Sequence, residues 1–482
     1  MKSDLKTDTL LYGAATLIER VLGLVLLPVL TRRLTGDEYG IWAQSAVVSS
    51  VLMPLVTFGL PAAVVRHFSA GIDGAQRRRW MLRTLGLAAS LYVLLGGCAW
   101  LARDAVAAGV YGSATQSSYV ALLVILLAAD ALFDLLVGYL RAAFRMRLIA
   151  LMIVARGLLR VGLMLAALDG AGWSFAQAFA ALVLLQLGVV ASVYAVELLR
   201  RAPAVATPPT SVTWHALLTF SAPLVLVSLL TSANGFADRF VLTHLLGLAS
   251  VAVYAAVASL VGITSVAYTV LGFTLFPVLS RLWSQGASAE AELLATDAMR
   301  VFLFLALPVA LWLPCVTDSL LPLLATQAYR APAAAVLLLG LGAVGFGLYQ
   351  IVLYLLLIAG RGLRAAWLMA VAAVLNAVLN VVLVPRLGLT GAALAASVSN
   401  GLLAVLAHAA APTSFPWASA LRIGGAALLA AAVLLALGHR LTPASWTSLA
   451  ASVAGTGLLY LALDLAPGRS MIRAFVLRRG AP

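Results

Sequence analysis

The sequence predicts an all-α polytopic membrane protein with about fourteen transmembrane helices: two pseudo-symmetric six-helix lobes and two extra C-terminal helices. Three observations predict it. The 482 residues are 63% hydrophobic and 10% charged, with mean hydropathy +1.06. A soluble chain is roughly 45–50% apolar and 25% charged. Apolar stretches recur along the whole chain at the length of about 20 residues that a bilayer core demands of a helix. Basic residues collect in alternate connecting segments, as they do when those segments face the cytoplasm.

This composition excludes a water-soluble enzyme. The net charge of +14 would suggest nucleic acid as a partner in a soluble protein, but these basic residues sit between apolar segments, where the bilayer accounts for them. Cys98 and Cys315 lie far apart inside apolar segments, and the five histidines are scattered. No metal spacing or disulfide framework results, and no cofactor is implied.

The first span, 10–31, is long and lacks a small-residue cleavage signal behind it, so it reads as a retained helix. Spans two to six follow at 41–65, 80–102, 119–140, 148–168 and 174–197. The stretch "LRRAPAVATPPTSVTW" (199–214) is then the one Pro-rich polar break near the middle. Beyond it lie six more spans, at 215–243, 249–279, 296–316, 331–358, 365–385 and 389–409, and an appended pair at 418–437 and 444–465. The domains expected are therefore an N-lobe over 1–202, a cytoplasmic linker over 203–213, a C-lobe over 214–410, and spans thirteen and fourteen with a basic tail over 411–482. Pro28, Pro54, Pro223, Pro277 and Pro308 fall inside spans, where neighbouring helices or a cavity must satisfy the freed backbone groups.

An even count of spans puts both termini on one side. With the termini in the cytoplasm, 21 of the 31 basic residues lie in cytoplasmic segments and six in outer loops. That bias supports both the orientation and the count. A weak internal repeat joins the lobes. "LTRRLTGDEYGIWA" (30–43) aligns with "LTHLLGLASVAVYA" (242–255), and "RHFSAG" (66–71) with "RLWSQG" (281–286). Six spans in each half keep the same orientation, so the halves would be related by an axis along the membrane normal.

The four remaining basic residues, Arg20, Arg156, Arg160 and Arg239, lie inside spans. A charge at bilayer depth costs about 2.5–3.5 kcal/mol on insertion scales, which makes each a functional candidate. Asp130 and Asp134 share one face of span four, and Arg156 and Arg160 one face of span five. Their depths overlap, which permits the pairs Asp134–Arg156 and Asp130–Arg160 as structural salt bridges; a cavity role for one of the arginines is the alternative. Glu19 and Arg20 are adjacent near the middle of span one and point about 100° apart. In span seven, "TSANGFADRF", the spacing of Thr231, Asn234 and Asp238 makes one polar stripe. Arg239 points elsewhere, near enough to the outer end to snorkel to the interface. Asn376 and Asn380 form a second stripe on span eleven, for which ordinary interhelical hydrogen bonding is the plain reading.

"LLPVLTRRLTGDEYGIWA" with "FGLPAAVVRHFSAG", "DRFVLTHLLGLASVAVYAAVASL", and "YRAPAAAVLLLGLG" with "VLNAVLNVVLVPRLGLTGAALAASVSN" resemble the polysaccharide-transporter branch of the multidrug/oligosaccharidyl-lipid/polysaccharide flippase superfamily. The resemblance runs over residues 10–410, in order. It implies two lobes facing each other in a V. It also implies a flippase in the bacterial inner membrane that moves an oligosaccharide linked to undecaprenyl diphosphate by alternating access. Its products would be polysaccharides of the O-antigen, lipopolysaccharide or exopolysaccharide kind. Its partners would be the glycolipid, membrane lipids, and polymerase and export machinery. A cation-coupled multidrug or small-molecule exporter of the same fold is the alternative.

The resemblance also assigns roles. "ERVLG" is similar to a helix-one motif of the lipid II flippase branch in which the arginine binds diphosphate, and Arg20 matches it. A second cavity arginine of that branch is replaced by Leu26, which argues against lipid II as substrate. Asp238, Asn376 and Asn380 match three ligands of a monovalent-cation site, with sodium or proton coupling as the implied use. The matching places on span twelve are Ala392 and Ala396. Arg156, Arg160, Arg239, Glu19 and Asn234 complete the cavity candidates. Arg66 and Arg281, at matching ends of spans two and eight, are candidate cytoplasmic gate residues.

Overall fold

A computed structural model describes residues 2–68, 74–199, 213–326, 329–411, 413–438, 447 and 450–464. The expected linker, apart from residue 213, and the basic tail lie outside the described residues. Every regular element described is helical. Among the described residues, twelve helices are long and apolar enough to span a membrane, or thirteen if one bent pair counts as a single span. The chain divides into two compact units. One is Met1–Phe236 with Gly247–Val251, and the other is Ala237–Leu246 with Ala252–Pro482.

The first unit begins with α1 (Lys2–Arg33) and α2 (Gly36–Thr57). Between them "TGDE" forms a capping box: Glu38 N–H donates to Thr35 Oγ1 at 3.2 Å, and Thr35 N–H donates to Glu38 Oε2 at 2.9 Å. This satisfies two of the donors that a helix start leaves open. Span two is not one helix. Phe58 (φ 49) and Gly59 (φ 64) turn the chain through the left-handed region, and α3 (Leu60–Phe68) starts anew. Then come α4 (Gly74–Leu101), α5 (Arg103–Tyr111), α6 (Ser118–Ala142), α7 (Met146–Leu165) and α8 (Phe175–Leu199). The core packs Leu60 and Val64 of α3 and Leu135, Leu136 and Tyr139 of α6 against Ile149 and Ile153 of α7. A Cβ added to Gly138 would lie 2.8 Å from Pro61 Cα, so α3 and α6 cross in close contact. Small residues at such crossings are how helices associate where lipid removes the hydrophobic drive.

The long α9 (Trp214–Leu246) crosses the unit boundary, which falls between Phe236 and Ala237. Span eight is broken into α10 (Leu248–Val261) and α11 (Ile263–Ser284), with a 45° bend at Gly262. The second unit continues with α12 (Ser288–Leu324), α13 (Ala333–Ile358), α14 (Gly362–Leu387) and α15 (Leu389–Ala410). Gly342 and Gly345 let α13 ride on α15: a Cβ on either would meet backbone atoms of Ser397 or Asn400 at 3.0–3.1 Å. After α16 (Trp417–Gly438) comes α17 (Ala450–Asp464), whose described part is shorter than a bilayer crossing needs. Both are tied to α12. Trp312 Nε1 donates to Ala427 O at 2.9 Å, and Tyr460 Oη donates to Phe304 O at 3.0 Å.

Candidate functional site

In the first unit, charge converges on Asp130. Its Oδ2 accepts from Ser49 Oγ of α2 at 2.6 Å. Its Oδ1 accepts from Arg156 of α7 and lies 3.9 Å from Arg160 Nη2. The Arg156 guanidinium also covers the Phe133 ring, 4.6 Å from its centroid. Of the two expected pairs, Asp130–Arg160 is present at long range. The pair Asp134–Arg156 is not formed, because Arg156 takes Asp130 instead, and Asp134 makes no ion pair among the described residues. Depth along a helix resolves position to about one turn, 5.4 Å. Which member of an i,i+4 pair meets the neighbour depends on helix rotation, and here Asp130 is the member that also meets α2.

Arg160 makes no hydrogen bond among the described residues, and its ion pair is long. Glu19 of α1 bears on it electrostatically. Helix α1 lies close against α7, where a Cβ on Gly157 would come 2.7 Å from Leu22 Cδ1. Arg20 is exposed and has no ion-pair partner among the described residues. Arg66 sits over the Phe220 ring of α9, 4.5 Å from its centroid. Gln44 and Gln186 were not singled out by the sequence reading. Both are buried, and neither amide has a partner among the described residues. A lone glutamine inside an apolar helix is the signal that points to each.

The second unit arranges its polar groups differently. Asp238 is 5% exposed; it accepts from Tyr254 of α10 and, at 2.9 Å, from the Arg239 N–H. Asn376 Nδ2 donates to Ser399 Oγ of α15 at 3.1 Å, and Asn380 Nδ2 donates to Asn376 Oδ1 at 3.0 Å. Asn380 Oδ1 is buried with no partner among the described residues. The two asparagines are thus brought together, but among the described residues no hydrogen bond joins either to Asp238. Asn234, 4% exposed, belongs to the first unit although it shares a helix face with Asp238. Arg239 is half-buried, and Arg281 is exposed in the last turn of α11. Ser49, Tyr254 and Ser399 are the partners that sequence reasoning missed, since a hydroxyl in an apolar helix carries no pattern of its own.

Comparisons with known proteins bear on the family and the fold. The model of the polysaccharide biosynthesis protein family matches residues 5–283, more than half of the chain. An uncharacterized membrane protein of Methanocaldococcus jannaschii is 29% identical over 164 residues, which span 33% of this chain and 32% of that protein. In fold, the chain is similar to the lipid II flippase MurJ in an inward closed conformation: TM-score 0.76, 13% identity, covering 96% of this chain and 100% of that one. It is also similar to an inward-facing multidrug resistance MATE family transporter of the MOP superfamily: TM-score 0.67, 17% identity, covering 84% and 95%. The chain belongs to the polysaccharide biosynthesis protein family.

Proposed function

We propose that this protein flips an oligosaccharide linked to undecaprenyl diphosphate across the bacterial inner membrane by alternating access, supplying polysaccharide export. Both termini would face the cytoplasm. The observation that carries the reading is Arg160. A guanidinium has five donors and no means of losing its charge. Within a membrane such a group is retained for a purpose, and this one has a carboxylate only at 3.9 Å and no hydrogen bond among the described residues. An incoming diphosphate supplies the missing acceptors, and guanidinium suits phosphate oxygens in paired geometry. Exposed Arg20 is a second contact for the same group. A cationic drug gains nothing from either, which favours the glycolipid over the multidrug reading.

Deleting the gene should cause one lipid-linked glycan to accumulate on the inner leaflet, read by extraction and mass spectrometry. O-antigen, lipopolysaccharide or exopolysaccharide loss then identifies the polymer. Absence of any glycan phenotype sinks the proposal. Coupling to sodium or protons is assigned to Asp238 with Asn376 and Asn380, supported by a buried carboxylate and the orphan Asn380 Oδ1. Transport unchanged by both sodium and proton ionophores rules it out. Arg66 and Arg281 are assigned to the cytoplasmic gate.

A further inference from the structure

The second unit holds a cavity of about 490 Å³ that none of the charged residues above lines. Tyr268, Thr269, Gly272 and Phe276 of α11 form one wall, and Gln350 and Tyr354 of α13 the other. The spacing explains the walls. Tyr268, Gly272 and Phe276 recur every four residues, and so do Gln350 and Tyr354, so each helix turns one face inward. Ring contacts set the shape. Phe276 meets Tyr354 edge-on with centroids 5.5 Å apart, and Tyr268 is held in the same manner by Phe302 and Phe346. Gly272 is required here, because a Cβ would lie 2.1 Å from Tyr354 Oη.

The lining chemistry narrows the occupant. Thr269 Oγ1 is turned back to Ser265 O at 2.8 Å. The Gln350 amide and the Tyr354 hydroxyl, however, have no hydrogen-bond partner among the described residues. An alkyl chain filling the space would leave both unsatisfied, which is unfavourable. Among the described residues that line it, a cation would find no carboxylate and an anion no guanidinium. A neutral molecule with C–H faces and hydroxyl edges satisfies every wall: aromatic rings present their negative faces to C–H groups, and the amide and phenol take the hydroxyls. The volume lies within the roughly 300–1,000 Å³ of small-molecule pockets. We infer that this cavity is a subsite for the neutral sugar units of the transported glycolipid, separate from the diphosphate contacts assigned to the first unit. The inference rests on the flippase reading above.

The test uses full-length purified protein in nanodiscs and two ligands: an undecaprenyl-diphosphate-linked oligosaccharide extracted from the deletion strain, and sugar-free undecaprenyl diphosphate. Tyr354→Phe keeps the ring and its packing, and Gln350→Ala removes the amide. Each should raise the half-saturating concentration of the glycolipid by about five- to tenfold, the effect of one lost hydrogen bond. Binding of the sugar-free lipid should stay at the wild-type value. Equal weakening of both lipids means that the cavity takes the polyprenyl chain and overturns the subsite, as does no change in either. Wild-type protein that binds neither lipid overturns the flippase reading itself, and the subsite with it.

Discussion

The first unit gathers two guanidinium groups of α7 and a hydroxyl of α2 on one carboxylate of α6, whereas one cluster of the second links amides and hydroxyls in pairs. Ser49, Arg156 and Arg160 all address Asp130. In the second, Asn376, Asn380 and Ser399 form a neutral chain, and Asp238 accepts from a phenol and from the Arg239 backbone N–H. The energies differ accordingly. Each charge at depth costs about 2.5–3.5 kcal/mol on insertion scales, while an interhelical hydrogen bond from an amide contributes about 0.6 kcal/mol on average. Architecture alone needs only the cheaper device. The charged cluster is therefore where function is to be sought first, and within it the residue that architecture does not consume.

That argument divides Arg156 from Arg160. Arg156→Ala leaves Asp130 with a hydroxyl and a distant guanidinium, which should destabilise the protein by about 3–5 kcal/mol. Membrane abundance should fall sharply, and Asp130→Ala added to Arg156→Ala should restore much of it. Arg160→Ala should leave abundance near wild type while glycolipid transport is lost. If immunoblots show both single variants equally depleted, the division of labour in the cluster is wrong.

A smaller effect is expected where the two repeat-related segments touch. Residues 30–43 and 242–255 align in sequence, and a Cβ on Gly40 would come 2.4 Å from Leu248 O. Gly40→Val should overpack this contact by about 1–3 kcal/mol and lower the melting temperature in detergent. Gly23→Ala is the control: nothing lies within 4 Å of the added Cβ, so helix propensity should raise stability by about 0.5–1 kcal/mol. Equal melting temperatures for the two variants remove the special status of the repeat contact.

Helix existence was legible because hydropathy reports it residue by residue. Thirteen of the expected spans coincide with long helices or with a broken pair, and the last with the short α17. The breaks were not legible. Phe58 carries no turn signal, since a phenylalanine at positive φ is held there by its surroundings. Gly262 looked like one more small residue in an apolar run. In the site, spacing brought the right residues to the right depth, as Asp130, Arg156 and Arg160 show. It left their partners open, because helix rotation and the approach of a third helix decide contacts. Ser49 became visible only once α2 was seen against α6. The sugar-facing cavity was invisible for a related reason: Gln350 and Tyr354 on α13 acquire meaning only beside Gly272.

The smallest expected effect tests the neutral side of the comparison. Asn376→Leu removes the donor to Ser399, but the serine hydroxyl retains Ala395 O at 2.6 Å and so stays satisfied. Asn380 loses its bond to the Asn376 side chain yet retains the Asn376 backbone carbonyl at 2.9 Å. Two partners with fallback acceptors should limit the loss to about 0.6–1.7 kcal/mol, a shift of a few degrees in melting temperature. Transport should then separate two roles. Near-normal flipping in Asn376→Leu means that the pair is mainly architectural and that Asp238 carries any ion coupling by itself. Lost flipping at preserved stability would make the amide chain part of the working site, and the contrast between a charged functional cluster and a neutral structural one would have to be given up.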